Sequence, residues 1–160
     1  MMKTAPALLS IALFLFVFGL PTENRAQTRK AVGAAEASGT FRSHFKGRFK
    51  DFYNEIKILT LGKGKLQVAF ELMYPHLGGG EVTANTGTAE GIAEIKGDTA
   101  VFTNKEFGAC RIIIKFVKPG VIKVTQSISA GECGFGFNVR ADGTYKKTSR
   151  AKPKFGRQQP

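Results

Sequence analysis

The stretch that decides the fold is Leu66-Gln67-Val68-Ala69-Phe70-Glu71-Leu72-Met73-Tyr74. Leucine, valine, phenylalanine and tyrosine recur at every second position, and glutamine, alanine, glutamate and methionine lie between them. A period of two is typical of a strand that buries one face and exposes the other. Residues 110–117 and 122–125 repeat the same alternation. The sequence therefore predicts a β protein.

Turn-forming residues separate these alternating stretches. Gly62-Lys63-Gly64-Lys65 lies before the first of them, Gly97-Asp98 lies further along the chain, and Lys118-Pro119-Gly120 follows residues 110–117. Glycine supplies the positive φ that tight hairpins need, and Pro-Gly is a preferred centre of a type II turn. Three successive hairpins are therefore predicted, and their strands are antiparallel.

Eight strands are predicted, and most of the connections between them are short. They are 39–45, 55–61, 66–74, 86–96, 99–104, 110–117, 121–128 and 142–148. Eight strands are enough to close an up-and-down barrel, which removes exposed sheet edges. Gly39-Thr40-Phe41 is echoed by Gly143-Thr144-Tyr145, and a closed meander would make these two strands neighbours. We expect an all-β antiparallel meander forming an eight-stranded, calycin-like barrel with one disulfide, and a two-sheet β-sandwich is the alternative.

The segment 46–53 fits two structures. Phe45, Phe49 and Phe52 have the spacing of one helix face, whereas Phe45 and Phe49 also share a face with Phe41 in a strand. Gly47 disfavours a helix by about 1 kcal/mol relative to alanine. We expect a loop or a short helix packed on the mouth of the barrel.

The first residues have the pattern of an export signal. Lys3 gives a positive start, and the uncharged stretch 7–20 is shorter than the roughly 20 apolar residues that span a bilayer. Ala26 suits the position before a cleavage site. We predict a signal peptide at 1–26, with a retained membrane anchor as the alternative. A flexible basic linker (27–37), a single β domain (38–148) and a flexible basic tail (149–160) would then form a protein secreted to the periplasm or outside the cell, without a transmembrane segment.

Cys110 and Cys133 are the two cysteines of the chain. An even number of cysteines in an exported protein favours a disulfide over free thiols, and such a bridge contributes roughly 3 kcal/mol. Two thiols with the distant His44 and His76 do not provide the close ligand spacing of a zinc site. We expect a disulfide, no metal and no cofactor.

The charge of the chain favours anionic partners. Removing Lys3, Arg25 and Glu23 from the totals of 24 basic and 12 acidic residues leaves 22 and 11, a net charge of +11. Such a field concentrates anions near the protein, so an envelope polyanion or the acidic face of another protein is the expected class of partner. The basic tracts are too short to be a specific nucleic-acid signature.

The sequence contains few candidates for catalysis. His76 lies in the predicted loop before Gly78-Gly79-Gly80, and it has no neighbouring nucleophile or orienting partner. The glycine run lacks the strand-to-helix context and the following Lys-Ser or Lys-Thr of a phosphate loop. We expect the protein not to be an enzyme, and an enzyme that uses His76 is the alternative.

The candidate binding residues lie in two regions and a loop. In Cys133-Gly134-Phe135-Gly136, the ring of Phe135 is either an aromatic presented to a partner or a plug in the core. The remaining candidates are the loop histidine and four basic residues that lie within the first predicted strand or shortly after it. They are His76, Arg42, Lys46, Arg48 and Lys50.

The stretch from Cys110 to Lys147 resembles the C-terminal ends of small secreted bacterial proteins of unassigned function. The overall plan is similar to that of the periplasmic lysozyme inhibitors, which are small disulfide-bearing β-barrels. These resemblances imply an architecture and no catalytic residues. A charge of +11 would repel the lysozymes, which are commonly cationic.

The expected function is that of a secreted, non-enzymatic protein whose basic surface binds an anionic partner. The alternative is a calycin-like carrier of a small apolar ligand inside the barrel. Ala89, Gly91 and Ala93 share one face of a predicted strand, and these small residues either leave room for a ligand or allow close packing.

Overall fold

Eight antiparallel strands close into one barrel in the order in which they occur along the chain. The fold is described from a computed structural model in which residues 31–106, 109–127 and 133–156 are placed, so the predicted signal peptide lies outside the described residues. A helical turn, α1, precedes the first strand, and a 3-10 turn lies between the first two strands. The elements are α1 Ala34–Ala37, β1 Gly39–His44, the 3-10 turn Gly47–Phe49, β2 Tyr53–Gly62, β3 Lys65–Gly78, β4 Glu81–Lys96, β5 Thr99–Asn104, β6 Cys110–Lys118, β7 Val121–Gln126 and β8 Gly143–Ser149.

Pairing between β1 and β8 closes the barrel. Phe41 is the partner of Lys147, and Arg42 is the partner of Lys146. The two strands that begin with Gly-Thr-aromatic are therefore neighbours, as the echo between them predicts. The barrel prediction is confirmed, and the closed sheet excludes the sandwich.

Alternating side chains of every strand fill the interior. In β3 the side chains of Leu66, Val68, Phe70 and Leu72 are buried, which confirms the predicted inward face as far as Leu72. The prediction is wrong for Tyr74, which lies beyond the barrel wall and is exposed. Burial of such a side chain contributes roughly 1.5–3 kcal/mol relative to its exposure. The largest fully buried side chains come from seven strands: Tyr145, Phe41, Phe70, Phe102, Phe116, Ile56, Ile58, Leu66, Ile112, Ile114, Ile122 and Val68.

The two ends of the barrel differ. The turn end carries the tight turns at 63–64, 97–98 and 119–120 and receives the chain at α1. There Lys147 points inwards, and its Nζ donates hydrogen bonds to the carbonyl oxygens of Glu36 and Ser38 at 2.6 and 2.7 Å. The same ammonium lies 5.0 Å from the ring centroid of Phe41. The cation and the end of α1 thus cover this end of the core.

The loop end carries the β1–β2 loop, the β3–β4 hairpin and the connection between β7 and β8. The disulfide between Cys110 and Cys133 joins that connection to the start of β6, with Cα atoms 4.7 Å apart. The predicted disulfide is confirmed. It holds the connection across the loop end, where Val139 and Ala141 are also fully buried.

The β3–β4 hairpin is longer than predicted. Pairing continues from Leu72–Gly87 to Gly78–Glu81, so only Gly79 and Gly80 form the turn. The prediction of a loop around His76 is wrong, because His76 lies in β3 and pairs with Thr83. β3 and β4 form main-chain hydrogen bonds with each other along their shared side. Their pairing therefore continues beyond the residues at which each strand also pairs with its other neighbour.

The segment 46–53 is a loop with one short helical turn, which confirms the predicted alternatives of loop or short helix. Gly47 has a φ of 61° and begins the 3-10 turn. The amide of Phe45 donates a hydrogen bond to the carbonyl of Phe52, which closes the loop at its base. β2 begins at Tyr53, two residues earlier than the predicted strand.

The segments that flank the barrel contain more structure than flexible tails would. Within the predicted linker 27–37, residues 34–37 form α1, and Ala37 is fully buried. In the predicted tail 149–160, Ser149 belongs to β8 and Pro153 is buried. A Cβ atom placed on Gly156 would lie 3.8 Å from Oε2 of Glu90, so this segment runs beside β4.

Removal of the disulfide tests how firmly the loop end is held. Cys110→Ala with Cys133→Ala should lower the free energy of unfolding by roughly 3 kcal/mol, because the unfolded chain regains the entropy of the closed loop. Urea unfolding of the variant and of the oxidised parent measures the difference. Equal unfolding midpoints with equal slopes would show that the bridge does not stabilise the fold.

Candidate binding surfaces

Phe135 is a core residue at the loop end. Its side chain is only 6% exposed, and its ring centroid lies 6.4 Å from that of Phe70 in an edge-on arrangement. The amide of the next residue, Gly136, donates a hydrogen bond to the carbonyl of Thr86. Of the two interpretations of Phe135, the structure supports the plug and not the presented aromatic.

Two glycines allow this plug to fit. A Cβ atom on Gly87 would lie 2.8 Å from Cβ of Phe135, and one on Gly136 would lie 2.6 Å from the carbonyl oxygen of Thr86. Contacts this short are not tolerated in packed interiors. The plug segment and β4 can therefore approach each other only where both lack side chains.

The presented aromatic is Phe137, which the sequence interpretation missed. Its side chain is 79% exposed, although its backbone is fixed by a hydrogen bond of 2.9 Å from Nδ2 of Asn85 to its carbonyl oxygen. The spacing of the two phenylalanines gives no signal, because residues i and i+2 of an extended chain point to the same side and this segment is not a strand.

Arg42 is engaged in ion pairing on the outer face of the barrel. Its Nε lies 2.6 Å from Oε2 of Glu55, and its guanidinium lies 4.2 Å from the ring centroid of Tyr53. The hydrogen bond to Glu55 raises the pKa of Arg42. Lys57 pairs with Glu55 and with Glu71, and the hydrogen bond to Glu71 raises its pKa in the same way. These cations are compensated by carboxylates.

Lys46, Arg48 and Lys50 lie together in the β1–β2 loop, and all three are exposed. No described carboxylate forms an ion pair with them, because the described ion pairs use Arg42, Lys57 and Arg140 as cations. The structure places these three predicted residues at the same end of the barrel as the plug. Arg42 lies apart from them, in β1, with its side chain on the outer face of the barrel.

His76 lies near the tip of the β3–β4 hairpin. Its Nδ1 is 3.2 Å from the carbonyl oxygen of Tyr74, and the two rings are stacked with centroids 6.0 Å apart. Among residues 31–106, 109–127 and 133–156, no group of three or more His, Cys, Asp and Glu side chains could hold a metal ion.

A further group of exposed cations without described ion pairs lies on the outer wall formed by β6, β7 and β8. These three strands contain no aspartate or glutamate. By contrast, Glu55, Glu71, Glu90 and Glu94 are distributed over β2, β3 and β4. The exposed basic side chains of the acid-free strands, which we call the basic wall, are Arg111, Lys115, Lys118, Lys123 and Lys146.

Strand register brings the cations of the basic wall together. Lys115 of β6 is the direct partner of Lys123 of β7, and Lys146 of β8 is the direct partner of Arg42, whose charge is compensated by Glu55. Side chains directly opposite each other on antiparallel strands have Cβ atoms about 4.5–5.5 Å apart, and like charges in such pairs are destabilising. The wall therefore contains repulsion that an anion would relieve.

The inside of the barrel is packed with rings where a carried ligand would lie. The rings of Phe70 and Phe102 contact each other with centroids 5.1 Å apart. A Cβ atom on Gly91 would lie 3.0 Å from the ring of Phe102. At this position the small residue of β4 makes room for a neighbouring ring, which is the close-packing interpretation of the small residues in β4.

Two surface cavities accompany these features. One of about 480 Å³ lies beside the basic wall at the turn end, against Pro119, Gly120, Lys147 and Arg150. Another of about 630 Å³ lies across β3, β4 and β5 and is bordered by Lys63, Lys65, Glu94 and Lys96. Both open to solvent on the outside of the barrel, and the lining of the first also includes Glu36.

Comparisons of the chain with models of protein families, with curated proteins and with solved structures find no match. Within the described residues, no helix is long and apolar enough to span a membrane.

Substitution of Gly87 tests the fit of the plug. Gly87→Ala should lower the free energy of unfolding by about 1–3 kcal/mol, because the added methyl group overlaps Phe135. Gly33→Ala is the matched control, since a Cβ atom at Gly33 meets no atom within 4 Å, and it should change stability by less than about 0.5 kcal/mol. If urea unfolding gives the two variants equal stability, Phe135 is not seated against β4 as described.

Proposed function

We propose that this is a secreted, non-enzymatic protein that binds an anionic macromolecule or surface through the basic wall. The observation that carries the proposal is the direct pairing of Lys115 with Lys123 on strands that contain no acidic residue. Proteins commonly place opposite charges in such pairs, which stabilises the sheet. Like charges that lie opposite each other repel, and a bound anion reduces this repulsion.

The geometry of the wall supports a partner with many charges. Lys115 lies directly opposite Lys123. Lys146 is two residues beyond Thr144, the partner of Lys123 on the next strand, so it is a diagonal neighbour at about 7–8 Å. Each bound phosphate or sulfate group would release counterions from the polyanion, which makes the affinity strongly dependent on salt. A single small anion would engage only part of such a surface.

A carrier of a small apolar ligand is the alternative that the barrel shape suggests, and an enzyme that uses His76 is another. The packed rings of Phe70, Phe102 and Phe135 count against a carrier. For His76, the described contacts are with Tyr74, its neighbour two residues away. The arrangement of the basic wall favours the anion-binding proposal over both.

Charge removal on the wall tests the proposal. A wall variant with Lys115→Gln, Lys123→Gln and Lys146→Gln should elute from immobilised heparin at lower salt than the parent. Each lysine that no longer neutralises an anionic group should reduce the slope of log affinity against log salt, because fewer counterions are released on binding. The control variant carries Lys63→Gln, Lys65→Gln and Lys96→Gln, which removes the same charge from exposed lysines elsewhere.

The control should elute close to the parent. If both variants lose the same affinity, net charge and not the wall governs binding. If retention of the parent is the same in low and in high salt, the proposal of an anionic partner fails altogether, because counterion release requires salt dependence.

A further inference from the structure

The β3–β4 hairpin extends beyond the barrel wall as an arm of residues 73–86. The pairing of β2 with β3 reaches Glu55–Glu71, and the next free amide of β3, that of Met73, donates a hydrogen bond of 2.8 Å to Oδ1 of Asn54. Pro75 lies two residues further along β3, so its nitrogen faces the same side as the amide of Met73, away from β4. The N–H that proline lacks therefore interrupts no pairing with β4. The arm is thus an ordered continuation of the sheet.

One face of the arm presents aliphatic side chains near its tip. Leu77 and Val82 are cross-strand partners, so their side chains share a face, and they are 49% and 45% exposed. Beyond them lie the pair Gly78–Glu81 and the turn of Gly79 and Gly80, so Glu81 is the one charged side chain between these aliphatic residues and the tip.

The other face of the arm presents aromatic side chains closer to the barrel. Tyr74 is exposed and is the cross-strand partner of Asn85, so both side chains lie on one face. Nδ2 of that same Asn85 donates the hydrogen bond to the carbonyl of Phe137, which places the highly exposed Phe137 beside this face. Apolar side chains therefore lie on both faces of the arm.

Cations lie at the base of the arm. Lys46, Arg48 and Lys50 of the β1–β2 loop are at the same end of the barrel, and this loop leads into β2 directly before Asn54. The acids of the loop and of the arm are Asp51 and Glu81, both exposed. Apart from Glu81 beside the turn, the order from tip to base is aliphatic, then aromatic, then predominantly cationic.

We propose that this end of the protein docks on a bilayer that contains anionic lipid. A bilayer has the same order of layers: hydrocarbon, an interface that favours aromatic rings, and anionic headgroups that attract lysine and arginine. A lipid phase also surrounds an inserted arm, whereas a protein groove would cover one face and leave Leu77 or Phe137 in water. Leu77 and Val82 enter the acyl region, and Tyr74 and Phe137 lie at the interface.

This surface is separate from the basic wall, so the inference goes beyond the proposed function and is tested with different residues. The chain contains no tryptophan, so Phe137→Trp introduces a single fluorescent reporter at the arm. Its emission should move to shorter wavelength when vesicles of phosphatidylcholine and phosphatidylglycerol are added. Leu61→Trp, at the turn end, is the matched reporter and should not respond. A shift at both positions or at neither overturns the proposal.

Partition into the same vesicles measures the contribution of the arm. Leu77→Ser with Val82→Ser should weaken binding by roughly tenfold for each side chain withdrawn from lipid. The control, Leu61→Ser with Ile92→Ser, removes aliphatic side chains that are equally exposed, at 50% and 47%, and should change binding less than about twofold. Equal effects of the two variants overturn the proposal.

Glu81 provides a test in the opposite direction. Its carboxylate lies nearer the tip than Leu77 and Val82, so docking withdraws a charge from water at a free-energy cost, and Glu81→Gln should strengthen vesicle binding. Unchanged or weaker binding by this variant contradicts the proposed orientation. The wall variant should keep the response of the reporter at position 137 even if it loses heparin, which separates failure of this inference from failure of the proposed function.

Discussion

When β1 pairs with β8, the sheet loses both of its long edges, and the remaining features of the molecule depend on that closure. Closed strands must turn one face inwards, so the even-numbered apolar residues of β3 and β6 have only the barrel interior to enter. The outer face then becomes a continuous convex wall. Strand register fixes the positions of its charges, and it places Lys115 opposite Lys123.

Closure also determines what lies at each end. At the turn end, Lys147 spans from β8 to the carbonyl oxygens around α1, because its position in the strand points inwards. At the loop end, the disulfide carries the connection between β7 and β8 across the core, and Phe135 fills the space above Phe70. Phe137, two residues further along the same connection, is exposed to solvent.

Much of the fold could be predicted because alternation and turn chemistry agree along the chain. The irregular pairing between β6 and β7 follows from the same reasoning. Ile114 and Phe116 face inwards together with Ile122 and Val124, but a two-residue turn at 119–120 would pair inward residues with outward ones. The register shift between Phe116 and Lys118 restores agreement, and it places Lys115 opposite Lys123.

The candidate sites were harder to predict, because they depend on where strands separate. The sequence of residues 75–85 does not show that β3 stops pairing with β2 after Leu72. The position at which this pairing ends is set by the side chain of Asn54, which lies on another strand. Phe135 and Phe137 have similar neighbours in the sequence, and only the space above Gly87 decides which of them is buried. The clustering of basic residues along the sequence predicts the β1–β2 loop as a binding region. It does not predict the basic wall, whose cations are distant in the sequence and adjacent across strands.

The central claim is that the basic wall binds an anionic partner, and a map of the binding surface tests it most directly. Amide chemical shifts of the isotopically labelled protein would be followed during titration with a heparin fragment. The largest shifts should occur in β6, β7 and β8 around Lys115, Lys123 and Lys146, with little change in β2, β3 and β4. Shifts centred on the balanced strands β2–β4, or spread evenly over the barrel, would contradict the claim.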